Sequence, residues 1–121
     1  MEWELSSDRP IYIQLIEQLQ AAIIAGNLSP GDKIPSVRDL ASEAQVNPNT
    51  MQKALAELER NGLLYTERTS GRYITSDKEL IMKLKKQSAK SQIQEFIEKM
   101  KLMGFQPEET LALIEETIKD K

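Results

Sequence analysis

Residues 36–62 read SVRDLASEAQVNPNTMQKALAELERNG, and the fold turns on how this stretch is punctuated. Ser36 stands three positions before Asp39, the spacing at which each side chain can satisfy the other's unpaired N–H at a helix start. Val37, Leu40, Ala41 and Ala44 then give a narrow apolar stripe that stops near Gln45-Val46. Asn47 is a good N-cap, and Pro48 fits the first helical position, where no N–H is needed. The second helix, 48–60, turns Met51, Leu55 and Leu58 inward and ends at Asn61-Gly62, a C-cap pair. Two short helices about three residues apart match a helix-turn-helix.

The flanks extend this reading. Upstream, Tyr12, Leu15, Ile16, Leu19, Ile23 and Ile24 predict a helix from about Pro10 to Ala25, with Pro10 in its first turn. Ser29-Pro30-Gly31-Asp32 predicts a turn. Downstream, Leu64-Tyr65-Thr66-Glu67 and Arg72-Tyr73-Ile74-Thr75 are β-rich runs around a Gly-bearing turn, a hairpin that would serve as a wing over 64–75.

From Asp77 the composition changes. Residues 77–121 hold nine acids and nine bases and no β-rich run. A long helix is expected over 78–103, broken at Gly104-Phe105, with Pro107 opening a last helix that buries Leu111, Ile114 and Ile118. The expected fold is mainly α with a small β wing: a winged helix-turn-helix domain over 1–76 and a two-helix dimerisation segment over 77–121. Two helices alone bury little, so their apolar positions are best satisfied by a second copy of the chain. Ile81, Leu84, Ile93, Phe96, Ile97, Met100, Leu111, Ile114 and Ile118 are the candidate dimer contacts.

In a winged helix-turn-helix the second helix enters the major groove, its N-terminal residues at the base edges. Asn47, Asn49, Thr50 and Lys53 stand there. Asn can bond adenine in two places, Thr a base or phosphate, Lys a guanine or phosphate. Arg38 in the preceding helix is placed for backbone or groove, or else for an ion pair with Asp39 or Glu43. Arg68 and Arg72 could hold phosphates, enter the minor groove or merely keep the hairpin edge soluble, and Gly71 would allow close approach of the wing. The partner expected on these grounds is a double-stranded DNA operator bound by a homodimer.

Composition limits the alternatives. The chain has 121 residues, no Cys and no His. Disulfides, thiolate chemistry and the usual zinc, haem and Ser–His–Asp constellations lose their parts, so neither an enzyme nor a cofactor is expected. The start is polar and acidic, and the longest apolar run, AAIIA, is far too short for a bilayer. A cytoplasmic protein with no membrane partner follows. The tail is too short to enclose a small-molecule pocket within one chain; an effector could sit between subunits or between tail and DNA-binding domain, but the sequence names none. The net charge of −3 leaves a rival reading, a helical adaptor whose winged domain binds protein.

Specific blocks favour DNA. Residues 10–75 carry P-x-Y-x-Q at the start, G-x-L-x-P-G-D-x-I-P-S-V-R-x-L-A over 26–41, V-N-P-N-T over 46–50, and A-x-x-x-L-E-x-x-G-L over 54–63. In these the chain resembles the winged domain of the GntR family of bacterial transcription regulators, and its short tail resembles the YtrA-like subfamily. The resemblance implies a regulator, more often a repressor, of a palindromic site. It implies a DNA contact at Arg38, a recognition-helix start at Asn47, Asn49 and Thr50, and a wing-tip glycine at Gly71. Many members carry Arg where this chain has Pro48, so that contact does not transfer. The turn usually has Leu-Gly where this chain has Ala44-Gln45, which puts Gln at a site favouring positive φ.

Overall fold

A computed structural model describes residues 1–120. The order is α1 (Ile11–Ala25), α2 (Val37–Ala44), α3 (Pro48–Arg60), β1 (Leu64–Glu67), β2 (Gly71–Ile74), α4 (Lys78–Leu102) and α5 (Pro107–Lys119). Two compact units divide within α4, between Lys83 and Leu84.

The first unit is built around α3, against which α1, α2 and β1 all pack. Leu15, Leu19 and Ile23 project from one face of α1 at four-residue intervals and are buried. They share the core with Leu40, Ala41 and Ala44 of α2 and with Met51, Ala54, Leu55 and Leu58 of α3. Leu63, Leu64 and Ile74 add the root of the hairpin to it. The apolar spacing in the sequence thus places the inward faces correctly, except that Tyr12, Ile16, Ile24 and Val37 are only half-buried while Gln14 is fully buried.

Gln14 can be buried because its carboxamide is satisfied by the N-terminal segment. Its Oε1 accepts from the Ser6 amide at 2.8 Å, and its Nε2 donates to the carbonyls of Ser6 and Arg9 at 2.9 Å each. One turn on, Gln18 makes the same paired bonds to the Glu4 amide and carbonyl at 3.0 and 2.6 Å. The two side chains fasten the N-terminal segment along α1. Pro10 sits at the N-cap position itself rather than inside the first turn, and no side chain caps α1. Beside it, hydrogen bonds from Arg9 hold the Glu17 carboxyl below its ordinary value. That pair stabilises the fold above the unfolded carboxyl's pKa and is lost as pH falls through the folded one. Both groups are half in solvent, which keeps the effect small.

The turn of the helix-turn-helix has the strain that the sequence implies. Gln45 adopts φ 58°, ψ 48°, the one positive φ outside glycine among the described residues. The amides of Gln45 and Val46 reach back to the carbonyls of Ser42 and Ala41, which closes α2. A left-handed conformation strains an L side chain by about 1–2 kcal/mol. Allowing for glycine's extra chain entropy, Gln45→Gly is expected to raise stability by about 0.5–1 kcal/mol. A higher denaturant midpoint at unchanged slope would show it; a lower midpoint would mean that Gln45 is held by something other than this turn.

The hairpin pairs Leu64 with Ile74, Tyr65 with Tyr73, Thr66 with Arg72 and Glu67 with Gly71. Tyr65 and Tyr73 stack at 5.6 Å between centroids on one face. The second strand begins and ends one residue earlier than the β-rich run suggests. Residues 31–34, in which the sequence shows only the end of a turn, also lie along the free edge of β2. The Gly31 amide donates to Ile74, Ile74 to Asp32 and Ile34 to Arg72, and Lys33 bridges Tyr73. Pro30 and Pro35 keep this run too short to announce itself by alternation.

The second unit is a helical pair. Gly104 at φ 96° breaks the chain after α4, and the Phe105 amide caps back to Met100. Glu109 restrains the start of α5 by accepting from the Gln106 amide at 3.0 Å. The expectation that α5 buries Leu111 and Ile118 is not met within one chain. Leu111 is 58% and Ile118 68% exposed, Ile114 is half-buried, and of α5 only Thr110 is fully enclosed. Two helices share one seam, and within this unit Ile93, Phe96, Leu111 and Ile118 stay exposed among the described residues.

Candidate nucleic-acid interface

Ser36 starts α2 by accepting the Asp39 amide at 3.1 Å, which leaves Arg38 on the open side of the helix. Glu43 lies against the N-terminal ammonium of Met1 at 2.9 Å, and Asp39 forms no ion pair among the described residues. The ion-pair alternative for Arg38 is therefore not realised; its guanidinium faces solvent without a carboxylate.

α3 begins with Asn47, whose Oδ1 accepts the Asn49 amide at 2.8 Å. Half of the Asn47 carboxamide is thus committed to capping. Asn49 itself is exposed with its side chain free, and Thr50 is half-buried beside it. Asn49, Gln52, Lys53 and Ala56 fall at i, i+3, i+4 and i+7, a single stripe opposite the buried Met51, Leu55 and Leu58. Gln52, on the outward face that the helical spacing predicts but not among the candidate contacts, joins the stripe three residues beyond Asn49. Lys53 does not wave free: its Nζ sits 3.8 Å from the centre of the Tyr12 ring on α1. That contact fixes the ammonium on the α1 side of the stripe.

The wing arginines part company. Arg68 stands exposed in the hairpin turn. Arg72 turns back, its Nε 3.4 Å from Oε1 of Glu59 on α3, and Thr66 donates its hydroxyl to the same carboxylate oxygen. With its side chain 19% exposed, Arg72 ties the wing to α3 rather than standing open like Arg68. Arg72→Ala is expected to lower stability by about 0.5–1 kcal/mol, as is Glu59→Ala, with non-additivity in the double variant. Arg68→Ala should leave the denaturation midpoint where it is. Additive single effects would remove the strut.

Gly71 has φ 120°, a conformation closed to other residues, and a Cβ there would meet Lys33 Cε at 3.2 Å. Lys33, Ser36, Asp39, Thr66, Ser70 and Arg72 line an open cleft between the start of α2 and the wing. The structure thus gathers Arg38, Asn49, Thr50, Lys53, Arg68 and Gly71 onto the outer surfaces of α2, α3 and the wing, in one compact unit.

This arrangement has known counterparts. The family described as bacterial regulatory proteins, gntR family, matches residues 11–74, more than half of the chain. The chain belongs to the GntR family. It is 37% identical over 111 residues to the HTH-type transcriptional regulator YhcF of Bacillus subtilis (strain 168), spanning 92% of each chain. It is 42% identical over 92 residues to the HTH-type transcriptional repressor YtrA of the same organism, covering 75% of this chain and 71% of that one. Among solved structures it is similar to a GntR family transcriptional regulator from Listeria monocytogenes, with a TM-score of 0.85, 38% identity, and coverage of 93% of this chain and 98% of that one. It is also similar to AraR(DBD) in complex with operator ORX1, with a TM-score of 0.53, 30% identity, and coverage of 62% of this chain and 92% of that one. The first two relatives and the Listeria structure match beyond the GntR winged domain into the helical tail. No helix among the described residues is long and apolar enough to cross a membrane.

Proposed function

We propose that this GntR-family chain is a sequence-specific transcriptional repressor that binds a two-fold-related operator as a homodimer. Residues 1–76 form the DNA-binding domain and 77–121 the dimerisation segment. Helix α3, 48–60, lies in the major groove, and the wing, 64–75, lies on the flanking groove or backbone. The observation that carries this is the α3 stripe: Asn49, Gln52 and Lys53 are presented outward from a helix whose inner face, Met51, Ala54, Leu55 and Leu58, is buried. The solved operator complex of the similar AraR domain supports the same use of this domain.

Each residue has a defined part. Asn49 and Gln52 read base edges, adenine being the base that a carboxamide bonds in two places. Thr50, Lys53 and Arg68 hold phosphates, Arg38 the backbone or groove edge, and Gly71 permits close approach of the wing. Asn47 sets the helix start that aims them. The apolar face of the tail, with Ile93, Phe96, Leu111 and Ile118 open to solvent, is covered by a second copy. Two α3 helices then read half-sites about one helical turn, ~34–36 Å, apart or a multiple of it.

A gel-shift titration at low salt against DNA from upstream of the protein's own gene is the direct test. A shifted band whose affinity falls steeply with salt supports the reading, because released counterions drive phosphate binding. No shift at low salt refutes it and favours the protein-binding adaptor.

A further inference from the structure

Seven basic side chains lie within residues 1–76: Arg9, Lys33, Arg38, Lys53, Arg60, Arg68 and Arg72. Three are neutralised locally, Arg9 by Glu17, Arg60 by Glu57 and Arg72 by Glu59. Among the described residues no ion pair forms at the other four. Arg38, Lys53 and Arg68 already belong to the interface. The fourth is Lys33. Lys33 thus carries its charge without an ion pair among the described residues, on a stretch that holds ten acids.

The neighbouring acid, Asp32, is turned away: its Oδ2 accepts the Ser29 amide at 3.0 Å within the turn. Asp39 lines the same cleft but makes no ion pair with Lys33. The Lys33 backbone is fixed by its bridge to Tyr73 and by the bonds of Asp32 and Ile34 to β2. Its exposed stem runs across Gly71, with Cε 3.2 Å and Nζ 3.9 Å from the position a Cβ would occupy there. A side chain at Gly71 would crowd the lysine where it lies along the wing.

We infer that Lys33 is a further DNA contact, holding a backbone phosphate beside the wing with its ammonium group. This rests on the DNA-binding reading above. The chemistry suits a phosphodiester: a compact charge with three donors attracts an anionic oxygen and distinguishes no base. Gly71 acquires a second role, since it seats this lysine as well as admitting the wing.

The test compares the full chain with Lys33→Gln and Lys33→Arg by fluorescence anisotropy, on the operator and on random duplex DNA, across a salt series. Each lost phosphate contact lowers the slope of log affinity against log salt by about 0.9. Lys33→Gln is expected to lower it by that amount per protomer. Its affinity defect should then be about 3.5-fold larger per protomer at 50 mM than at 200 mM salt. Operator and random DNA should be affected alike, and Lys33→Arg should restore the slope. A Lys33→Gln slope equal to that of the unmodified chain, with operator binding intact, overturns the inference alone. A defect confined to the operator overturns it too, since that is the mark of base reading. Failure of the unmodified chain to bind any duplex at 50 mM salt overturns the DNA-binding reading itself.

Discussion

The double variant Phe96→Glu, Ile118→Glu is expected to sediment as a monomer where the unmodified chain sediments as a dimer. It should also lose about 10²–10⁴-fold in affinity for an operator with two half-sites. Both side chains border the apolar groove between α4 and α5, and they are 43% and 68% exposed within one chain. Covering an aromatic or branched aliphatic side chain contributes roughly 1.5–3 kcal/mol. A glutamate in its place brings a charge that must be desolvated without a partner. Because neither position is enclosed in the single chain, the helical content should survive, and circular dichroism would check that. The DNA effect follows from linkage: once one half-site is bound, the second recognition helix is held at a high effective concentration. Binding to an isolated half-site should therefore be nearly unchanged. A variant that remains dimeric would place the interface elsewhere. An unmodified chain that is monomeric at micromolar concentration, with and without DNA, would remove the dimer altogether.

Asn49→Ala is expected to weaken specific operator binding by about 1–3 kcal/mol per half-site, roughly 5- to 150-fold, and to relax preference at one base position. The structure separates this effect from folding. The Asn49 side chain is exposed, while its backbone amide is held by Asn47. Alanine is a better helix former than asparagine, so α3 should not be destabilised. Affinity for random DNA and the salt slope should stay the same, because no phosphate contact is removed. If specific and random binding fall together, Asn49 holds the backbone and reads no base. Asn47→Ala is the contrasting case. It removes a cap, with a stability loss of about 1 kcal/mol, and any binding defect would then come partly from a frayed helix start.

The local structure was legible because its causes are local. The periods of α1 and α3, Ser36 and Asn47 as caps, Gly62 and Gly104 as stops, and the Gly-bearing hairpin turn all act within a few residues of chain. So does the left-handed Gln45, readable as a departure from a Leu-Gly turn. The exposed stripe of α3 follows from the buried one, since a helix with Met51, Leu55 and Leu58 inside must turn Asn49, Gln52 and Lys53 outward.

The charges were not legible in the same way. Along the chain, Arg68 and Arg72 are both wing arginines, and nothing local marks Lys33. Folding sets Arg72 against Glu59, thirteen positions away, and lays Lys33 across Gly71. It also places Lys53 over Tyr12 from a different helix. The sequence by itself determined the helices, the hairpin, the family and the face that α3 presents, through periodicity and capping that nearest neighbours enforce. Only the tertiary structure decided which cations are spent on the protein's own acids and which stay free. The Arg60–Glu57 pair follows from helical spacing, but the pairing of Arg72 with Glu59 depends on a distance between residues far apart in the chain, to which the net charge of −3 is not sensitive.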